Sequence, residues 1–194
     1  MPSERIIKIV VITGSVQPDN FTSKALKVAI DEIKKYPNVS VEFIDPGVLQ
    51  LSLPGKEEGS SNESLQKIVS QSTGILIGTP EYHGSYSSVI KLVIDNLGYP
   101  SVMVGKPIAL LGVASGQIGA IKALEHLRSV CAHVGGIVLP NSISVPFVDT
   151  MFDAQGLCLD PKVEKKIRGL AKDLLEFIQN HIWPKECQEE NVRQ

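Results

Sequence analysis

The sequence predicts a three-layer α/β sandwich built on a five-stranded parallel sheet, and three observations carry that prediction. Apolar runs rich in β-branched residues, with no polar alternation, recur at residues 6–13, 74–79 and 107–114, which is how strands covered on both faces read. Each run ends in a Gly- or Ser-bearing turn, and each turn opens a segment with helical apolar spacing. Alternation of strand and helix requires right-handed crossovers, and those make the sheet parallel.

The elements follow in chain order. Residues 6–13 (IIKIVVIT) are the first strand; one helical turn would fit so short a run, but Gly14 stops it. Ser15, Pro18, Asp19, Asn20, Thr22 and Ser23 are turn or N-cap residues, and the helix after them carries Leu26, Ala29, Ile30 and Ile33 on one face. Residues 39–45 (VSVEFID) alternate and are short, which suits a strand nearer the sheet edge. A Pro-, Gly- and Ser-bearing connection over 46–62 leads to a short amphipathic helix through Leu65, Ile68 and Val69. The third strand, 74–79 (GILIGT), ends in Pro80, Glu81, Tyr82, His83, Gly84 and Ser85, a loop that opens the next helix.

That helix runs from Ser87 to Leu97. It is apolar at Val89, Ile90, Leu92, Val93, Ile94 and Leu97, more of its circumference than a surface helix needs. A symmetric partner subunit is the simplest cover for the surplus. Residues 107–114 (PIALLGVA) are the fourth strand, followed by the loop Ser115, Gly116, Gln117, Ile118, Gly119 and a helix through Ile121, Leu124, Leu127 and Val130. Residues 135–139 begin a fifth strand, and Val163, Ile167, Leu170, Leu174 and Phe177 mark the last helix. The expected organisation is one domain over residues 1–184 and a polar tail over 185–194.

Bulk numbers narrow the function classes. A chain of 194 residues, 43 % hydrophobic, is ample for one core. It has no long uncharged apolar run, and MPSERIIKIV enters the first strand too soon for a signal peptide, so a cytoplasmic protein without a membrane span is expected. The formal net charge of −2, with no basic block, gives no field for nucleic acid or anionic lipid. Cys131, Cys158 and Cys187 show neither CxxC nor metal spacing; they read as packing or incidental thiols, and an iron–sulfur carrier is excluded. His126 and His133 lie seven apart on one helix without carboxylate or cysteine partners, so no metal site is expected.

Five strands with an edge-like second strand favour the flavodoxin-like order 2-1-3-4-5, in which the first and third strands flank the point where the topology reverses. Ligands sit there, beyond the carboxyl ends of the strands, so the first two loops meet at that point and the third borders them. Free amides and the positive end of the first helix make its N-terminus an anion site, and Ser15, Thr22 and Ser23 offer hydroxyls. The same residues also suit ordinary capping. The loop has neither GxGxxG nor the Gly-Lys-Ser/Thr ending of a P-loop, so neither dinucleotide-first nor ATP-first binding is signalled.

Three motifs then resemble one family. GSVQPDNFTSKA after the first strand, TPEYHGSYSSVIKLVIDNL after the third and VASGQIGAIKALEHLR after the fourth are similar to the NADPH-dependent FMN reductases, which include quinone, azo-dye and chromate reductases. The most specific piece is PEYxxS with its following helix, matched by Pro80, Glu81, Tyr82, Ser85, Lys91, Asp95 and Leu97. The resemblance implies an FMN whose phosphate and ribityl chain are surrounded by Ser15, Gln17, Asn20, Phe21, Thr22 and Ser23. Pro80, Glu81, Tyr82, His83, Gly84 and Ser85 would present backbone donors to its ring, and Ser115, Gly116 and Gln117 would close the far side. It further implies NADPH or NADH as reductant, a small-molecule electron acceptor, and a homodimer or homotetramer through the Ser87 to Leu97 helix.

Departures from the family pattern GSxRxxSxN are informative. Gln17 stands where Arg is expected, Asn20 where Ser is and Thr22 where Asn is. Exchanging a charge-assisted hydrogen bond for a neutral one weakens FMN by about tenfold. His83 replaces an Asn and either donates to the ring or merely occupies a surface loop. The loop SGQIGA is less glycine-rich than the family pattern. In a flavin reductase the cofactor carries the electrons, so no triad or metal is needed, and Tyr82 and His83 are the side chains placed to give a proton to an acceptor. Donor and acceptor would use one face in a ping-pong scheme. A serine hydrolase lacks its GxSxG elbow here, and a phosphorelay receiver lacks an Asp at Thr79. An FMN-binding electron carrier and a degenerate member that has lost FMN are the remaining rivals.

Overall fold

A computed structural model describes residues 6–56 and 61–184. Cys187, the polar tail 185–194 and residues 57–60 of the long connection lie outside the described residues. In chain order the elements are β1 (Ile7–Thr13), α1 (Phe21–Ile33), β2 (Val39–Ile44), α2 (Ser61–Ser70), β3 (Gly74–Tyr82), β4 (Ser85–Tyr86), α3 (Ser88–Asp95), β5 (Pro107–Val113), α4 (Ile121–His133), β6 (Ile137–Val138), β7 (Ile143–Val145) and α5 (Pro161–Phe177). Short 3₁₀ turns cover Pro46–Val48 and Val148–Thr150, and a π-helical turn extends α5 over Ile178–Ile182.

The sheet order is β2-β1-β3-β5-β6, all parallel along that path. With the two-residue β4 set aside, this is the flavodoxin-like order the sequence predicts, and β2 sits at the edge as its alternation requires. Side chains alternate along each central strand, so each strand feeds two cores. Ile7, Ile9 and Val11 of β1 pack under α1 and α5 with Leu26, Ala29, Ile33, Ile167, Leu170 and Leu174. Val10 and Ile12 face the other way, with Ile75, Ile77, Leu65, Val69, Ile90, Val93, Leu124 and Leu127 beneath α2, α3 and α4. These are the two interfaces of a three-layer sandwich.

Three local features differ from the sequence reading. The fifth strand is split: Pro140 lacks an amide for the ladder, and Arg128 takes the carbonyls of Leu139 at 2.8 Å and Pro140 at 3.0 Å. Pairing with β5 resumes only at Ile143, opposite Leu111. The loop after the third strand is a β-hairpin, described below with the site. The helix expected from Ser87 to Leu97 is shorter, Ser88–Asp95, because Ser87 is its N-cap and accepts from the Ile90 amide at 3.3 Å. The chain's own second core covers Ile90, Val93, Ile94 and Leu97, leaving Val89 and Leu92 half-buried.

Two further contacts fix the layers. Asn96, 4 % exposed, bonds both the amide and the carbonyl of Ser52 at 2.9 Å and so ties the long connection to the end of α3. Glu32 on α1, 4 % exposed, meets Lys35, Lys172 and Arg168, which clamps α1 to α5. The Lys35 hydrogen bond holds its carboxyl below the ordinary range against the opposing effect of burial.

Candidate functional site

β1 leaves the sheet at Gly14, pressed against β3. Its amide donates to the Gly78 carbonyl at 2.7 Å, and a Cβ there would lie 2.7 Å from Ile90 Cγ1 and 2.8 Å from that same oxygen. The close approach admits only glycine. Asn20 caps α1: its Oδ1 accepts from the Ser23 amide at 2.8 Å and its Nδ2 donates to the Gln17 carbonyl at 2.7 Å. The Ser23 hydroxyl lies 3.1 Å from that of Thr13 and is thereby held at the strand, beside the loop.

What the cap leaves over defines the site. The Phe21 and Thr22 amides, the first two of α1, have no acceptor among the described residues. Nor has the Thr22 hydroxyl, although the residue is only 1 % exposed. Ser15, 5 % exposed, accepts a long 3.4 Å bond from the Gln17 amide and keeps its own proton. Buried polar groups are normally paired, so these four donors point to a ligand or water. Two helix-terminal amides with two hydroxyls suit a phosphate.

Ser15, Phe21 and Thr22, which carry these donors, line a cleft of about 340 Å³. Its walls are Ser15, Gln17, Pro18, Asp19, Asn20, Phe21 and Thr22 of the first loop, Pro80, Glu81 and Tyr82 at the end of β3, Val113, Ala114 and Ser115 at the end of β5, and Val148. The cleft therefore lies beyond the carboxyl ends of β1, β3 and β5, where the strand order reverses. Its size is within the range of small-molecule sites, and Pro80, Val113, Ala114 and Val148 give it an apolar wall opposite the polar loop.

The second loop behaves differently. β3 continues to Tyr82, turns at His83 (φ 50°) and Gly84 (φ 74°), and returns as β4, with Glu81 opposite Tyr86 and Tyr82 opposite Ser85. Positive φ at both central residues makes this a two-residue hairpin of the primed kind. Three of its side chains are committed to the scaffold. Glu81 Oε2 accepts from the Ala123 amide at 3.0 Å and caps α4, which has no side-chain cap of its own. Ser85 Oγ pairs with His126 Nδ1 at 3.1 Å, and Thr79 Oγ1 accepts from the Ser87 amide at 3.1 Å while donating to the Pro80 carbonyl at 2.9 Å.

Of the residues singled out in the sequence, the structure gathers Ser15, Gln17, Asn20, Phe21, Thr22, Pro80, Glu81, Tyr82 and Ser115 around one cleft. It does not bring Ser23, His83, Gly84, Ser85, Gly116 or Gln117 to its walls. Pro18, Asp19, Val113, Ala114 and Val148 are wall residues that the sequence reading missed. Val148 arrives because its amide bonds the Ala114 carbonyl at 3.1 Å, docking the segment after β7 against the third loop. Pro18, Asp19, Val113 and Ala114 lay within the quoted motifs; Val148 carries no local signal.

Cys131 and Cys158 stay outside this chemistry. Burial pushes Cys131 up to about 12 and raises Cys158, so neither supplies a thiolate near neutral pH. Among the described residues no three His, Cys, Asp or Glu side chains group as a metal site, and no helix is long and apolar enough to cross a membrane.

A doubly wound sheet with an anion seat and an apolar wall at its switch point defines a class of proteins that bind a phosphorylated, flat-ringed cofactor. Comparison narrows the class: residues 7–150 match the family model of NADPH-dependent FMN reductases, and the chain belongs to that family. It is 31 % identical over 169 residues to a 2-hydroxy-1,4-benzoquinone reductase of Burkholderia sp., covering 84 % of this chain and 91 % of that one. It is 26 % identical over 184 residues to an FMN-dependent NADPH-azoreductase of Staphylococcus aureus, covering 90 % and 96 %. Among solved structures, the flavoenzyme NAD(P)H:(acceptor) oxidoreductase FerB of Paracoccus denitrificans superposes with a TM-score of 0.76 at 25 % identity, over 91 % of this chain and 99 % of that one.

Proposed function

We propose that this oxidoreductase holds FMN in the cleft and passes electrons from NAD(P)H to quinones, azo compounds or similar flat acceptors by a ping-pong scheme. The observation that carries the proposal is the set of unpartnered donors at the first loop, the Phe21 and Thr22 amides with the Thr22 and Ser15 hydroxyls, facing the cleft in a chain of this family. FMN fits that set: its phosphate would meet donors that have no partner among the described residues, and the wall of Pro80, Val113, Ala114 and Val148 suits its ring.

Once bound, FMN would supply the redox chemistry, two-electron transfer between nicotinamide and acceptor. The protein's part is to bind and orient. Gly14 lets the loop press against β3, Asn20 fixes the start of α1 so that its first amides face the cleft, and Glu81 locks the end of β3 to α4. Tyr82 is the cleft residue of the second loop with a proton to give, from its phenolic oxygen, to a reduced acceptor; His83 sits outside the wall at the hairpin turn. The cleft borders open solvent, in keeping with acceptors of several shapes.

We extend the proposal to the assembly: a homodimer or homotetramer through α3, whose half-buried Val89 and Leu92 are the part of its apolar surface that the chain's own core does not take. A cytoplasmic location follows the supply of nicotinamide reductant. An anaerobic absorbance titration tests the central reading. Visible flavin bands that persist through desalting after FMN addition, and bleach on adding NADPH, are the expected result. A protein that retains no FMN would replace the enzyme by a degenerate binder, and bands that NADPH does not bleach would make it an electron carrier.

A further inference from the structure

We propose that Lys24 is the charge-balancing positioning residue of the phosphate seat: it engages the Asp19 carboxylate and keeps the first loop receptive to a dianion. The inference deepens the FMN reading above and rests on it. Lys24 is 6 % exposed, and lysine is almost never buried without a charged or polar partner. Its Nζ lies 3.1 Å from Asp19 Oδ2 and 3.3 Å from the Asp153 carbonyl, and 5.2 Å from the centre of the Phe21 ring. Asp19 and Phe21 are both cleft-wall residues, and Asp153 lies in the segment that follows Val148.

The loop's charge balance gives these contacts their meaning. From Thr13 to Ser23 the only ionisable side chain is Asp19, and no Arg or Lys stands among them. Asp19, with φ 50°, belongs to the cleft wall together with Ser15, Phe21 and Thr22, which carry the unpartnered donors. Its side chain is 73 % exposed, so burial does not hold it, and Lys24 is its one ion-pair partner among the described residues. An unpaired carboxylate there would repel a phosphate dianion and offset what the amides and hydroxyls offer. A buried ammonium is expensive to desolvate, and an apolar side chain of similar length would pack against Phe21 and Gly156 without that penalty. Retaining the charge therefore points to a charged task.

A purely structural tie between α1 and the segment after β7 predicts different behaviour, and flavin choice separates the two. FMN and riboflavin share a ring and differ in the phosphate. Flavin-fluorescence titrations would measure the affinity of the full chain, K24M, D19N and K24M/D19N for each, with thermal melts reading folding separately. For K24M we expect FMN affinity to fall by about tenfold while riboflavin affinity stays within about twofold. D19N in the K24M background should recover most of the loss, since Asn accepts positive φ readily and carries no charge. Equal losses for both flavins, an unchanged FMN affinity in K24M, or no recovery in the double variant would overturn the role. Should K24M fail to fold, D19N alone decides: tighter FMN with unchanged riboflavin supports the role, and unchanged or weaker FMN overturns it. A full chain that binds neither flavin would remove the FMN reading and this role together, whereas one that binds FMN beside a silent K24M removes the role alone.

Discussion

The first and second loops leave the same end of the same sheet from neighbouring strands, yet they spend their polar groups in opposite ways. The first loop leaves two helix-terminal amides and the hydroxyls of Ser15 and Thr22 without acceptors among the described residues. The second commits Glu81 to α4, Ser85 to His126 and Thr79 to the amide of Ser87. A satisfied loop is scaffold, and one with buried, unsatisfied donors is a binding site. Motif likeness treats both loops as cofactor contacts, and only hydrogen-bond accounting tells them apart.

Substitutions can break that contrast, and the largest effect belongs to Gly14. Gly14→Val would drive a side chain into Ile90 and the Gly78 carbonyl; we expect denaturant unfolding to show a loss of about 3 kcal/mol together with loss of FMN binding. Next is the buried but satisfied Glu32, a control remote from both loops. Its folded-state pKa lies below its ordinary value of 4.5, so its stabilisation is present above that value and is lost as pH falls through the lower, folded one. Unfolding free energy should therefore fall on the acid side. In Glu32→Gln that acid limb should be shallower, and stability near pH 7 lower by about 1–3 kcal/mol.

Thr22→Val is the sharpest test of the first loop. It is isosteric and removes a hydroxyl that serves no protein partner among the described residues, so FMN affinity should drop about tenfold with the melting temperature unchanged or raised. Glu81→Ala should do the reverse: a stability loss of about 1 kcal/mol from the missing cap on α4, with FMN affinity changed less than about threefold. Ser85→Ala, which removes one exposed hydrogen bond to His126, should shift stability by less than about 0.5 kcal/mol and leave flavin affinity alone. A large FMN effect in either second-loop variant would erase the distinction between the loops.

How far these features were legible in the sequence depends on the range of the interactions behind them. The β-branched runs of β1, β3 and β5, the Asn20 cap and the apolar face of α1 are local signals, and the strand order followed from them. The cleft's polar side was legible for the same reason, because caps and turn residues lie within a few positions of the groups they serve. The hairpin at His83 and Gly84 was not, because His-Gly lacks the Asn-Gly or Asp-Gly signature although His tolerates positive φ. The split of the fifth strand was legible only in Pro140; the Arg128 contacts that hold it come from ten and more residues away along the chain. The Lys24 contact to Asp153 and the arrival of Val148 span still longer separations, and nothing in the local sequence marks them.

The most direct test of the contrast is residue-resolved. Amide resonances of the labelled protein would be followed during titration with FMN and, separately, with riboflavin. The expected result is a large displacement of the Phe21 and Thr22 amides with FMN, much reduced with riboflavin, while the Ser85 and Ser87 amides move little with either. Phe21 and Thr22 amides that stay in place while FMN binds would contradict the assignment of the first loop as the phosphate seat.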